Sequence, residues 1–326
     1  MKQRIRLIYI LAASHSGSTL LAMLLATHPE ICTIGEVKLT SLGNVDRYLC
    51  SCQKEIKKCP SWSDVVQEMA KRGYRFDFSN PGIDFQSEMS SYVRRLLRPL
   101  HRSPVLEWAR DSALALSPTW RTRFPRIQEL NSVLIESICD LAGKKIIVDS
   151  SKVGLRLKFL LRNPALDVRV IRLIRDGRAV AMTYTDPARF ADASDPRFRG
   201  GGMGGERESG RLTMALAARE WKRSNEEAEA VLKNIDPSRW IEVHYESLCA
   251  ETGGTLQKLF EFIGVNADYK LASFRSVDHH VIGNGMRLDS TDEIKLDDRW
   301  RESLSESEVK AFNSVAGELN RRLGYM

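Results

Sequence analysis

The 326 residues hold no apolar run of the about 18–20 residues that a membrane span needs. Cysteine is scarce: six in all, too few for a disulfide scaffold at this length. Charge of either sign is nearly matched by the other. The net +7 arises from 49 basic and 42 acidic residues. That balance favours anionic ligands weakly and lacks the basic density of a dedicated nucleic-acid binder, so no nucleic-acid partner is expected. A secretory leader is not expected either. Lys2, Arg4 and Arg6 precede an apolar run, but Leu7–Ala13 is short, breaks at Ser14 and resumes at Leu20. Strand, loop and helix explain those letters better, so a cytoplasmic location is the expectation. Internal repeats and convincing linkers are absent, so 1–326 reads as a single domain.

What is present starts at the N-terminus. Ile5–Leu21 reads as a buried strand, a small-residue turn and a helix. Such a junction aims backbone N–H groups and the positive end of a helix dipole at one point, which makes an anion site. One further absence says which anion. Aligned to G-x-x-x-x-G-K-[ST], Ala12 and Gly17 take the glycine positions and Thr19 the hydroxyl, but Ser18 stands where lysine should be. The β- and γ-phosphates of a nucleoside triphosphate are therefore poor candidates.

Further strands are expected at Ile31–Ile34, Lys145–Val148, Val168–Ile174 and Trp240–His244. Helices are expected at Thr19–Thr27, Asp84–Leu100, Arg126–Ala142, Val153–Arg162, Asp176–Tyr184, Arg211–Lys233 and Gly254–Ile263, with a last one behind the Ser305-x-x-Glu308 capping box. Residues 40–62 read as irregular. The alternation implies an α/β fold with a central parallel β-sheet flanked by helices. Ligands of such sheets sit beyond the carboxyl ends of the strands. Polar groups follow four of these ends: Ser14–Thr19, Asp149–Lys152, Arg175–Arg178 and Tyr245.

Arg175 ends a strand, and Thr183 lies eight residues on in the next helix. An arginine with a hydroxyl partner suits a phosphate monoester. With the first loop, one ligand carrying two separated phosphate-type groups could bridge both places. Ser14-His-Ser-Gly-Ser-Thr-Leu-Leu21 resembles the 5′-phosphosulfate loop of sulfotransferases that use 3′-phosphoadenosine 5′-phosphosulfate (PAPS). Arg175-Asp-Gly-Arg-Ala-Val-Ala-Met-Thr183 resembles their 3′-phosphate segment. His28-Pro-Glu-Ile, Val148-Asp-Ser-Ser-Lys152, Val243-His-Tyr-Glu-Ser-Leu248, Gly283-Asn-Gly-Met-Arg287 and Trp300 are similar to further segments, in the family's order.

The resemblance runs from about residue 5 to the C-terminus and implies a P-loop-like fold and PAPS as co-substrate. The nucleotide would be held by Ser14, His15, Ser16, Gly17, Ser18, Thr19, Arg175, Thr183, Tyr245, Asn284 and Arg287. Two departures stand out. His15 occupies a position where many relatives, tyrosylprotein sulfotransferases among them, have arginine. Ser150 stands where those enzymes have lysine, with Lys152 two residues on. Charge neutralisation then falls to Lys152 or His15. Glu36, after Ile34-Gly35, resembles the general-base glutamate of tyrosylprotein sulfotransferases, and His15 is the rival base. The acceptor implied is a hydroxyl, less readily an amine, on a small molecule, lipid or glycan. Sulfuryl transfer requires no metal.

Several readings stay open. Phe85–Leu100 and Trp108–Trp120 read as core first and acceptor pocket second. The Gly-rich 186–210 reads as a mobile insertion, either a lid or plain disorder. Cys50, Cys52 and Cys59, with Cys32 upstream, allow a local disulfide, buried thiols or a structural zinc site. His279-His280 could reach the site, though a histidine pair alone reads as structural. Oligomeric state is open, a homodimer included. The rival functions are a P-loop kinase of a small metabolite, with Asp149 its one candidate for holding magnesium, and a non-catalytic nucleotide- or RNA-binding module.

Overall fold

The computed structural model describes residues 4–40, 42–98, 103–190, 198, 211–270, 273–277 and 279–326. Five parallel strands form its centre: β1 Ile5–Ala12, β2 Ile31–Thr33, β3 Ile146–Lys152, β4 Leu166–Ile174 and β5 Trp240–His244, in the order β2-β3-β1-β4-β5. Successive side chains of β1 point to opposite faces. Leu7, Tyr9 and Leu11 enter one buried cluster, and Ile8, Ile10 and Ala12 enter the other. Burial on both faces is why these strands read as continuous apolar runs. The first cluster lies under the Pro60–Lys71 and Pro118–Ala142 helices, the second under Ser18–Leu25 and Thr252–Ile263. A third cluster joins the Gly177–Thr185, Met214–Leu232 and Glu306–Arg322 helices around Trp221 and Phe312.

The strand order changes sense at β1, since its neighbours are β3 on one side and β4 on the other. That switch point opens a crevice at the carboxyl ends of the strands. The β1–β3 register slips there. Tyr9 pairs with Asp149, whereas Leu11 pairs with Lys152, so β3 carries an extra residue and Lys152 takes φ 71°. A bulge of this kind re-aims the side chains beyond it. The strand expected to stop at Val148 therefore continues through Asp149–Lys152.

Other boundaries differ for physical reasons. The helix expected over 84–100 shrinks to Ser91–Leu96, capped by Ser90. Phe85, Met89, Val93 and Leu97 are still buried, so their four-residue spacing marked burial rather than helix. The helix expected from Arg126 begins at Pro118, capped by Ser117, and runs through Pro125. Helices at Pro60–Lys71 and Pro104–Leu116 were not anticipated. Of the Gly-rich 186–210, residues 191–197 and 199–210 lie outside the described residues. Among the described residues no helix is long and apolar enough to cross a membrane.

Candidate active site

The ends of all five strands meet at one cleft of about 750 Å³. Its floor begins with the loop after β1. His15 takes φ 62° and Gly17 φ 86°, two left-handed residues that fold the chain back into the Ser18–Leu25 helix. Gly17 is required for space as well as for φ, because a Cβ there would lie 2.5 Å from the Tyr245 ring. The helix has no side-chain cap and no acidic residue in its first turn, so its leading N–H groups suit an anion. Ser14, His15, Gly17, Ser18 and Thr19 line the cleft. Ser16 is buried beneath the loop and does not. The His15 ring meets Tyr184 edge to face at 5.0 Å.

Arg175 and Thr183 share the same cleft. Arg175 Nη1 donates to the His15 carbonyl at 2.8 Å, which ties the two phosphate-type segments together. The guanidinium stacks on Tyr245, 4.4 Å from the ring centroid. Its Nη2 donates to Asp297, to the carbonyl at 2.7 Å and to Oδ2 at 3.0 Å. Burial would raise the Asp297 carboxyl, but Arg299 and Arg175 outweigh that and hold it at about 2. Burial pushes the Tyr245 hydroxyl up. Asn284 lines the cleft, and its N–H donates to Thr19 Oγ1 at 3.3 Å.

Opposite the loop stands Glu36, which is 6% exposed. Lys152 Nζ donates to its Oε1, and Lys38 Nζ lies 3.8 Å from Oε2. Burial lowers the Lys38 ammonium, partly offset by Glu36. β3 sets this geometry. Val37 N donates to Asp149 Oδ1 at 3.2 Å, and Lys38 N donates to Ser151 Oγ at 3.0 Å. From the other side, Glu36 N donates to the Ile282 carbonyl at 3.1 Å. Gly35, at φ 78°, permits that approach, since a Cβ there would sit 1.9 Å from the Ile282 oxygen.

Arg287, expected at the nucleotide, is 2% exposed and is not part of the cleft wall. It donates to the carbonyls of Gly283, Asn284 and Leu49 and lies over the Tyr48 ring, so it braces the segment that carries Asn284. Trp300 is buried under Arg178 and does not reach the cleft. Neither does any described residue of 85–120. Phe85 and Trp120 belong to the core, and Trp108 is exposed. Asp149 is fully buried, bonded to the backbone of Val37 and Ser151 and paired with Arg156 at 3.4 Å. It therefore offers no open carboxylate for magnesium, which weighs against the kinase reading. Lys38 and Asp297 escaped the sequence reading. Lys38 had a signal, standing two residues past Glu36 with the opposite charge, whereas Asp297 had none.

A loop ready for an anion at the switch point of a parallel sheet defines a P-loop-like α/β protein. Residues 8–269 match the model of the sulfotransferase family, and the chain belongs to that family. Carbohydrate sulfotransferase 6 of Homo sapiens is 24% identical over 242 residues, 68% of this chain and 61% of that protein. Carbohydrate sulfotransferase 5 of Mus musculus is 29% identical over 175 residues, 51% of this chain and 44% of that one. The chain thus spans less than two thirds of the curated relatives it matches. The solved sulfotransferase domain from the Synechococcus PCC 7002 olefin synthase superposes with a TM-score of 0.53 at 18% identity, covering 100% of this chain and 97% of that one. The sulfotransferase domain from the curacin biosynthetic pathway gives 0.51 at 18%, covering 99% of each. At that identity these two bear on the fold alone.

Proposed function

We propose that this protein moves a sulfuryl group from PAPS to a hydroxyl of a carbohydrate or carbohydrate-like acceptor. The observation that carries the reading is the meeting of the 14–19 loop, the Arg175–Thr183 pair and the Glu36–Lys152 pair around one cleft. The uncapped helix start fits the 5′ end of the co-substrate, and Arg175 with Thr183 fits its 3′-phosphate. The co-substrate supplies an activated sulfur–oxygen bond. Glu36 takes the proton as the acceptor oxygen bonds to sulfur, and the bond from sulfur to the 5′-phosphate breaks. Lys152 neutralises the charge left on that phosphate, with the His15 ring as the second candidate for that role. The carbohydrate class comes from the relatives, which are named carbohydrate sulfotransferases.

Calorimetric titration with 3′-phosphoadenosine 5′-phosphate, against ATP with magnesium, tests the reading. Metal-independent binding of the bisphosphate and little of ATP is expected, and justifies an acceptor screen with labelled PAPS. Preference for magnesium-ATP overturns it.

A further inference from the structure

Away from the cleft, Cys50, Cys52, Cys59 and His280 bring their ligand atoms within 4.8 Å of one another. We infer that these four residues form a structural zinc site that fastens the chain around Glu36 to the chain around Asn284. Zinc bound by thiolate at about 2.3 Å and imidazole at about 2.0–2.1 Å in a tetrahedron requires S···S edges near ~3.8 Å and S···N edges near ~3.6 Å. Cys52 Sγ lies 3.6 Å from Cys59 Sγ, and His280 Nδ1 lies 3.1 Å from Cys59 Sγ and 3.7 Å from Cys50 Sγ. No pair is bonded: all six cysteines are free, and 3.6 Å is far beyond a disulfide's ~2.05 Å. Three soft sulfurs and one imidazole at this spacing select zinc over hard cations.

The local chain is built to present these atoms. Cys50 and Cys52 flank Ser51 in a tight turn, where Cys50 N donates to the Lys54 carbonyl, Gln53 N donates to the Cys50 carbonyl and Gln53 takes φ 63°. Cys59 is the N-cap residue of the Pro60–Lys71 helix, which fixes its backbone in place. Ser51 is bonded to both neighbours of His280: its Oγ donates to the His279 carbonyl and accepts from Val281 N. Cys32, considered from sequence as a ligand, bonds the Ile146 carbonyl instead.

None of the four lines the cleft, so the site is of the closed, structural kind. Its reach is long all the same. Two residues past His280, the Ile282 carbonyl holds Glu36 N; further on, Gly283 N donates to the Tyr48 hydroxyl and Asn284 N donates to Thr19 Oγ1. A metal there would clip a segment some 220 residues distant in sequence onto the base and the nucleotide loop.

Elemental analysis of the full chain, purified without added metal, should find close to one zinc per chain. Cys52→Ser and His280→Ala should each lower that at least tenfold, while Cys249→Ser keeps it. Because either variant could fail to fold, the wild type is also stripped with a chelator and titrated with Co²⁺. One equivalent should give the intense visible bands of tetrahedral cobalt and a thiolate charge-transfer band. A wild-type chain that carries no zinc and takes up no cobalt overturns the inference, as does a Cys52–Cys59 disulfide in the freshly purified protein.

Discussion

A carboxylate held between two lysines is oriented before any acceptor arrives, and Glu36 is in that position. Replacing it separates proton removal from binding. Glu36→Gln should lower kcat by about 10²–10⁴-fold, the usual share of a general base. The Kd for 3′-phosphoadenosine 5′-phosphate should stay level or tighten, because Lys152 and Lys38 lose their counter-charge. Parallel kinetic and calorimetric measurements check this, and a matching loss of binding would remove Glu36 from the chemistry. Arg175→Ala should do the reverse. A charge-assisted hydrogen bond contributes about 1.5–3 kcal/mol, so bisphosphate binding should weaken about 10- to 100-fold. An unchanged Kd would mean that in the wild type Arg175 stays engaged with Asp297, at 3.0 Å, and that the nucleotide binds elsewhere. That contact also carries a pH signature. The Asp297 carboxyl is depressed to about 2 against about 3.9 unfolded, so its stabilisation is full above the unfolded value and is lost as pH falls through the folded one. Denaturant midpoints of wild type and Asp297→Asn should differ at pH 7 and converge from about pH 4 down to about pH 2.

At the scale of elements, the irregular end of β3 does more for the site than any regular strand. The bulge buries Ser150 and Ser151 and delivers Lys152 to Glu36. Ser151 Oγ both accepts from Lys38 N and donates to Asp149. Ser151→Ala leaves a part-buried N–H without its partner and takes a donor from buried Asp149, and should cost about 1–3 kcal/mol by chemical denaturation, with a parallel fall in turnover as Lys38 and Glu36 drift. Stability equal to wild type would show that the bulge holds itself. All five strands were legible beforehand, β1 to β4 because burial writes an apolar run, and the 14–19 loop and Arg175–Thr183 were legible because chain neighbours build them. The bulge was not, since a shift between Tyr9–Leu11 and Asp149–Lys152 exists only in the pairing of two distant strands. The same holds for Asp297 on Arg175, 122 residues apart, and for His280 on Cys59, 221 apart. Arg287 was misread for the converse reason. It sits in the right segment, but its side chain turns to the Leu49 and Gly283 carbonyls.

Taken whole, the molecule divides the work between a floor and a roof. Strand ends supply the floor: a packed sheet with Leu7, Ile8, Tyr9 and Ile10 fully buried. The roof is the chain from Phe274 to Arg299, which has one short helical turn at Gly285–Leu288 and faces the cleft through residues such as Asn284, Ile294 and Lys295. Few regular backbone bonds hold this chain. Its anchors are scattered along the segment: Ser51 with His279 and Val281, Gly35 with Ile282, Tyr48 with Gly283, Thr19 with Asn284, Leu49 with Arg287, Arg175 with Asp297. Segments held by scattered contacts rather than a continuous ladder open at a lower free energy than the sheet. A ligand that touches floor and roof together must raise that opening energy, whereas one that touches the floor alone leaves it unchanged. Hydrogen exchange followed by mass spectrometry should therefore show 3′-phosphoadenosine 5′-phosphate slowing exchange in 14–21 and 283–299 together, with 60–71 and 118–142 unaffected. Protection confined to 14–21 would mean that the roof takes no part in holding the nucleotide and that Asn284 acts only through Thr19.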